Sequence, residues 1–202
     1  MVSKKLFFNI SVLFALMITV QCPLFGPEPG DPVYPAPIDQ GDSAAVRAIL
    51  DSNKLKSISV RQVIDQYTQG RITIVRFNSL ELDSFILSSD FQKLDSLDGI
   101  DLSANKLIKI NVPDSLKFSK NILGIGLANN LLPEFPIGVL KIKGLMRVDV
   151  SYNKITSISN QLINSGFRQI YFDHNKLCSV TDSERLWLDS VQNNWAAVQD
   201  CP

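Results

Sequence analysis

Between positions 72 and 177 the apolar residues of this chain fall into a repeated skeleton. Leu97, Ile100, Leu102 and Leu107 hold the first, fourth, sixth and eleventh places of a segment whose ninth place is Asn105. The skeleton returns as Ile122, Ile125, Leu127, Asn130 and Leu132, then as Leu145, Val148, Val150, Asn153 and Ile155, and again as Phe167, Ile170, Phe172, Asn175 and Leu177. An earlier copy, Ile72, Val75, Phe77 and Leu82, carries Leu80 in the ninth place. The five starts, at 72, 97, 122, 145 and 167, lie 25, 25, 23 and 22 residues apart. Apolar fourth and sixth places with other residues between them predict a short strand, one face in a core and the other exposed. The ninth-place amide donates and accepts at once, so it can serve backbone groups of a turn that would otherwise be buried without partners. Leu80 cannot do this, which suits a first copy whose outer neighbour is a cap.

A skeleton of this spacing, four times with its asparagine, closely resembles the leucine-rich repeat family. The resemblance covers residues 42–202. It implies an α/β fold: a short right-handed horseshoe solenoid of about five repeats, with parallel strands on the concave side and a helical cap at each end. The return limbs carry their own apolar marks, such as Phe85 and Phe91 in the first and Ile158 and Leu162 in the fourth. Pro133 and Pro136 predict an extended start for the third limb, and the convex secondary structure is otherwise open.

Residues 72–177 are thus the repeats, and an array of this kind needs its end faces covered. In 42–71 the spacing of Ala45, Val46, Ile49 and Leu50 predicts an amphipathic helix capped by Asp42 or Ser43. Val60, Val63, Ile64 and Tyr67 predict a second helix, which Gly70 ends. In 178–202, Thr181 with Glu184 three residues later forms a capping box, so a helix begins near Asp182. Leu186, Trp187, Leu188 and Val191 supply its apolar face, and Trp195 follows.

The first 21 residues join Lys4 and Lys5 to an apolar run from Leu6 to Val20, the layout of an export signal. Cys22 directly follows, an arrangement that resembles a bacterial lipoprotein signal. Thr19 and Gln21 depart from that pattern, which has an aliphatic residue three before the cysteine and a small one just before it. Lipidation at Cys22, plain secretion and a discarded leader all remain open. Residues 22–41 are dense in proline and read as a semi-rigid tether. In an exported protein Cys178 and Cys201 most simply pair, closing a loop of about 24 residues worth about 3 kcal/mol. This small cap resembles those of bacterial exported and surface members of the family.

Charge adds little, with 20 basic residues against 20 acidic. Basic residues are scattered, which argues against nucleic acid as a partner. Two late cysteines and one histidine are too few for a structural zinc site, and Asp98, Asp101 and Asp149 match no compact calcium loop. Gly124 and Gly126 lack the third glycine and the helix of a dinucleotide fingerprint. His174, the single histidine, has no nucleophile beside it. The expected function is therefore non-enzymatic, with no cofactor and no metal.

The exposed strand places form the candidate partner surface. They include Arg76, Asp101, Met146, Arg147, Asp149, Tyr152, Arg168, Tyr171, Asp173 and His174, with Tyr, Arg and Met concentrated in the last two repeats. Such residues are enriched at the energetic centres of protein interfaces, and they also occur on ordinary amphipathic surfaces. The expected partner is a protein or peptide. A glycan, stacking on Tyr152 or Tyr171 and bonding to Asp149 or Asp173, is the alternative.

Overall fold

The computed structural model describes residues 37–118, 122–142, 144–167 and 169–202. The signal, Cys22 and nearly all of the tether lie outside the described residues, as does Arg168. From Pro37 to Pro202 the chain forms one compact unit.

Helix α1, Gln40–Ser52, starts one turn's preparation earlier than the sequence suggested, because Asp39 is its cap and accepts from the Asp42 amide at 3.0 Å. Ala45, Val46, Ile49 and Leu50 are buried on one face. Asp42, freed from capping, is 1% exposed and binds Arg71 through both carboxylate oxygens at 2.8 and 3.1 Å. It also accepts from the Ile72 amide at 2.8 Å, so one buried carboxylate ties the cap helix to the first repeat.

Helix α2 is a single turn, Val60–Val63. The expected continuation to Tyr67 does not form. Ile64–Thr68 is instead strand β1, antiparallel to β2 (Arg71–Arg76). Gln69 and Gly70, at φ 51° and 81°, make the tight left-handed turn that joins twisted strands, so Gly70 closes a hairpin rather than a helix. The edge of the first repeat strand needs main-chain partners that a helix cannot offer, and the hairpin provides them. A Cβ at Gly70 would also stand 2.8 Å from the Pro37 carbonyl.

Strands β3 (Ser84–Ile86), β4 (Gly99–Asp101), β5 (Lys109–Asn111), β6 (Gly124–Gly126), β7 (Arg147–Asp149) and β8 (Ile170–Tyr171) follow. The main sheet runs β1-β2-β4-β6-β7-β8, parallel from β2 onward. Its register aligns the fourth place of every repeat: Val75, Ile100, Ile125, Val148 and Ile170 sit side by side. These residues and the sixth-place Phe77, Leu102, Leu127, Val150 and Phe172 are all at most 1% exposed. Return limbs differ from one another. The first holds β3 and a 3₁₀ turn at Ser89–Lys93, the second β5, the third a 3₁₀ turn at Ile137–Lys141, and the fourth helix α3 at Asn160–Ile163. Strand β3 pairs in parallel with β5.

The ninth-place asparagines are buried, and each reaches back to the preceding repeat. Asn105 donates to Phe77 O at 2.8 Å and accepts from the Leu80 amide at 2.9 Å. Asn130 links to Leu102 and Leu107, Asn153 to Leu127 and Leu132, and Asn175 to Val150 and Ile155. Each also donates to two carbonyls of its own turn, as Asn153 does to Val150 and Ser151 at 3.0 and 3.1 Å. Leu80 has no preceding repeat to reach, so an amide there would lack these carbonyls. The eighth place, just before, has positive φ in all five copies: Ser79, Ala104, Asn129, Tyr152 and His174.

Helix α4, Asp182–Val191, opens on the Thr181–Glu184 capping box. Glu184 accepts from the Thr181 amide and, with its other oxygen, from the Ile158 amide, both at 2.7 Å. The helix buries Trp187 and Leu188 but leaves Leu186 72% exposed, so Leu186 does not belong to the covering face. Trp187 packs edge-on to Phe172, and the Phe172 ring also meets Phe135. Cys178 and Cys201 form a disulfide with Cα atoms 5.5 Å apart, 23 residues apart in sequence. Replacing both by serine is expected to lower unfolding free energy by about 3 kcal/mol. Urea melts with and without a dithiol reductant test this, because reduction should shift wild type and leave the double variant unmoved.

Candidate functional site

The sheet face opposite the buried fourth and sixth places is the open face, and its chemistry changes along the strand order. At the β1 end, Arg76 bridges Asp65 and Asp101 at 3.0 and 3.2 Å. Asp65 carries no signal in the sequence, where its segment has helical spacing, and it lies on β1. Burial pushes its carboxyl above the usual range, Arg76 pulls it down, and Asp101 pushes it up again.

Asp101 and Asp149 are not exposed, in contrast to the sequence reading: they are 7% and 4% exposed. Each folds back along its own strand. Asp101 accepts from the Ser103 amide at 2.9 Å and its hydroxyl at 2.5 Å, and Asp149 accepts from the Ser151 amide at 2.9 Å. Between these two strands lies β6, where Gly124 and Gly126 offer no side chains. A Cβ at Gly126 would stand 3.2 Å from the Asp101 carboxylate, so that carboxylate leans over the glycine. Burial pushes the Asp149 carboxyl up, Ser151 hydrogen bonds oppose this, and the charges of Asp173 and Asp101 add to it.

At the far end Tyr152 and His174 stack with ring centres 4.2 Å apart and planes within 15°. His174 Nδ1 lies 3.0 Å from the Asp200 carboxylate, and the His174 amide donates to Val198 O. Asp173 accepts a hydrogen bond from the Gln192 side chain, so α4's end and the C-terminal segment border this region. Tyr152 is 38% exposed and Met146 51%, whereas Arg147 and Tyr171 are half-buried. Leu123, 48% exposed, lies beside Met146, since its carbonyl accepts from the Arg147 amide.

The structure thus gathers Met146, Arg147, Asp149, Tyr152, Tyr171, Asp173 and His174 in the last two repeats, on β7 and β8 and the turns beside them. Arg76 and Asp101 stand apart, across the glycine strip. Sequence reasoning missed Asp65, Gln192 and Asp200, which come from the caps and carry no repeat signal. Among the described residues no group of His, Cys, Asp or Glu is arranged to hold a metal ion. No helix among them is long and apolar enough to cross a membrane.

The chain is 35% identical over 137 residues to lumican from Gallus gallus, and likewise to lumican from Coturnix japonica. In each case the match covers 66% of this chain and 38% of the relative, so the chain spans less than half the length of the curated relatives it matches. No family model matches the sequence. Lumican is a leucine-rich repeat protein, and the similarity supports that family for this chain.

Proposed function

We propose that this chain is an exported, non-enzymatic leucine-rich repeat module, a short right-handed horseshoe whose open face binds a protein or peptide. The observation that carries this reading is the sheet itself. One face is sealed in the core, while the other presents exposed Leu123, Met146 and Tyr152 beside Arg147 and Tyr171. Exposed apolar and aromatic side chains rimmed by polar groups are the usual composition of an interaction surface. His174, the single histidine, already faces Asp200, which favours a structural part for it over general-base work. Export and a lipid anchor at Cys22 in a bacterial envelope belong to the same proposal and rest on the leader sequence. The similarity to two bird proteins lends nothing to a bacterial source.

Replacing Arg147 and Tyr171 together by alanine is expected to weaken capture of a partner crosslinked on intact cells by tenfold or more. Unchanged capture, with the melting temperature preserved, would remove the open face from the reading. A glycan is the second reading, favoured by the Tyr152–His174 stack beside Asp173. A glycan array positive for the wild type and negative for Tyr152→Ala would establish it over the first.

A further inference from the structure

Away from the open face, the small sheet of the return limbs has one edge closed and one edge bare. The Leu87 amide donates to Asn111 O at 2.9 Å, so Asn111 turns its backbone groups toward β3 and Ile110, one residue back, turns its own away. Ile86 looks outward from β3 in the same sense, and there the Asn53 side chain stands in for a peptide group. It accepts from the Ile86 amide at 2.7 Å and donates to Ile86 O at 3.0 Å. Ile110 has no such stand-in: among the described residues nothing pairs with its amide or its carbonyl.

The third limb is kept from closing that edge by its own sequence. Strands β3 and β5 start at 84 and 109, each 12 residues after its repeat begins at 72 and 97, and the same offset from 122 gives 134–136. In that register the Ile110 carbonyl would take its bond from the amide of residue 136, which is a proline and has none. On either side of this mismatch the two limbs meet. Before it the Leu131 amide donates to Leu107 O at 3.0 Å, and beyond it a Cβ at Gly138 would stand 3.0 Å from Val112. Between them lies a cavity of about 290 Å³, with an apolar lining of Ile108, Ile110, Leu132 and Phe135. Lys109 and Glu134, both exposed, border it, and neither joins an ion pair among the described residues. Ile108 is 53% exposed and the adjacent Leu131 43%.

The cavity is at the small end of ligand sites, which run from about 300 to 1,000 Å³, so it has room for a side chain or two. A bare strand edge beside it specifies the rest of the occupant, because an extended main chain carries a donor and an acceptor at the spacing of a strand. We propose that the groove between the second and third return limbs is a second binding site, which takes an extended peptide by strand addition. The peptide main chain pairs with Ile110, an apolar side chain of leucine size enters the cavity, and acidic and basic neighbours meet Lys109 and Glu134. The groove is independent of the open face, since its residues belong to the return limbs.

The test uses fluorescence anisotropy on the folded chain with a labelled heptapeptide whose central leucine stands between glutamate and lysine. A second probe carries N-methyl groups on the three central amides, which keeps the side chains and removes the main-chain donors. The parent peptide is expected to bind about tenfold more tightly than the methylated one. By NMR, hydrogen exchange at the Ile110 amide should be fast in the free chain and slow at least tenfold when peptide is saturating. Pro136→Ala supplies the missing amide and lets the third limb close on Ile110, so it should keep the melting temperature and weaken peptide binding about tenfold. Ile108→Glu, a change at an exposed position, should weaken binding by a similar factor. Equal affinity of the two peptides, no binding of the parent peptide, or binding that leaves Ile110 exchange unchanged would each overturn the site. Binding that survives Pro136→Ala and Ile108→Glu but is lost on replacing Arg147 and Tyr171 by alanine would overturn it too, and would place the peptide on the open face.

Discussion

Asn153→Ala is expected to lower the unfolding free energy by about 4 kcal/mol, a loss far larger than the size of the side chain suggests. Asn153 donates to the carbonyls of Leu127, Val150 and Ser151 and accepts from the Leu132 amide, and it is 1% exposed. Each such bond contributes about 1 kcal/mol net, and a buried amide left without an acceptor costs a further 1–3 kcal/mol or so. For a folded unit of this size the melting temperature should fall by on the order of 10 °C. Asn153→Asp separates the donors from the acceptor. It keeps an oxygen for Leu132 but turns a carboxylate toward three carbonyls, so it should be no better than alanine. A loss below about 1 kcal/mol by urea titration would mean that water takes over these bonds, and that the asparagines do not couple neighbouring repeats.

The second large effect is expected at Phe172. Its side chain is fully buried, with the Phe135 ring 6.2 Å away and the Trp187 ring 6.0 Å away, so it joins the last repeat to the covering helix. Phe172→Ala should remove about 3–5 kcal/mol through lost burial and the cavity left behind. Because Trp187 and Trp195 are the only tryptophans and both are buried, the intrinsic fluorescence of the variant should shift to the red in the native state. Leu186→Ala, on the same helix but 72% exposed, should move stability by no more than about 0.5 kcal/mol and leave emission unchanged. An unshifted emission maximum in Phe172→Ala would show that the covering helix does not depend on that ring.

How far the sequence could be read follows from where each signal is written. The repeat skeleton is local, so the parallel strands around Val75, Ile100, Ile125, Val148 and Ile170 could be placed by counting. The asparagine turns could be placed the same way. Segment 60–67 misled because Val60, Val63, Ile64 and Tyr67 satisfy a helical spacing. The need that makes 64–68 a strand is held by β2, whose edge requires a partner. Asp42 read as a cap because its true partner, Arg71, is 29 residues away. On the open face, too, the deciding groups lie on other strands. A pleated strand predicts that Asp101 and Asp149 point outward, but only the neighbours show that outward is not the same as exposed. Gly126 lets one carboxylate lie down, and the hydroxyl-bearing Ser103 and Ser151 hold both in place.

The direction in which the asparagines reach has a consequence for biosynthesis. Every one of them takes its neighbour's bonds from the turn that precedes it in the chain, as Asn175 does from Val150 and Ile155. A ribosome delivers the amino end first, so each newly emerged amide finds its carbonyls already built. Trimming from the carboxyl end leaves every surviving asparagine side chain its acceptors and bares only one backbone N–H, such as that of Ile155, whereas trimming from the amino end strands the next asparagine in line.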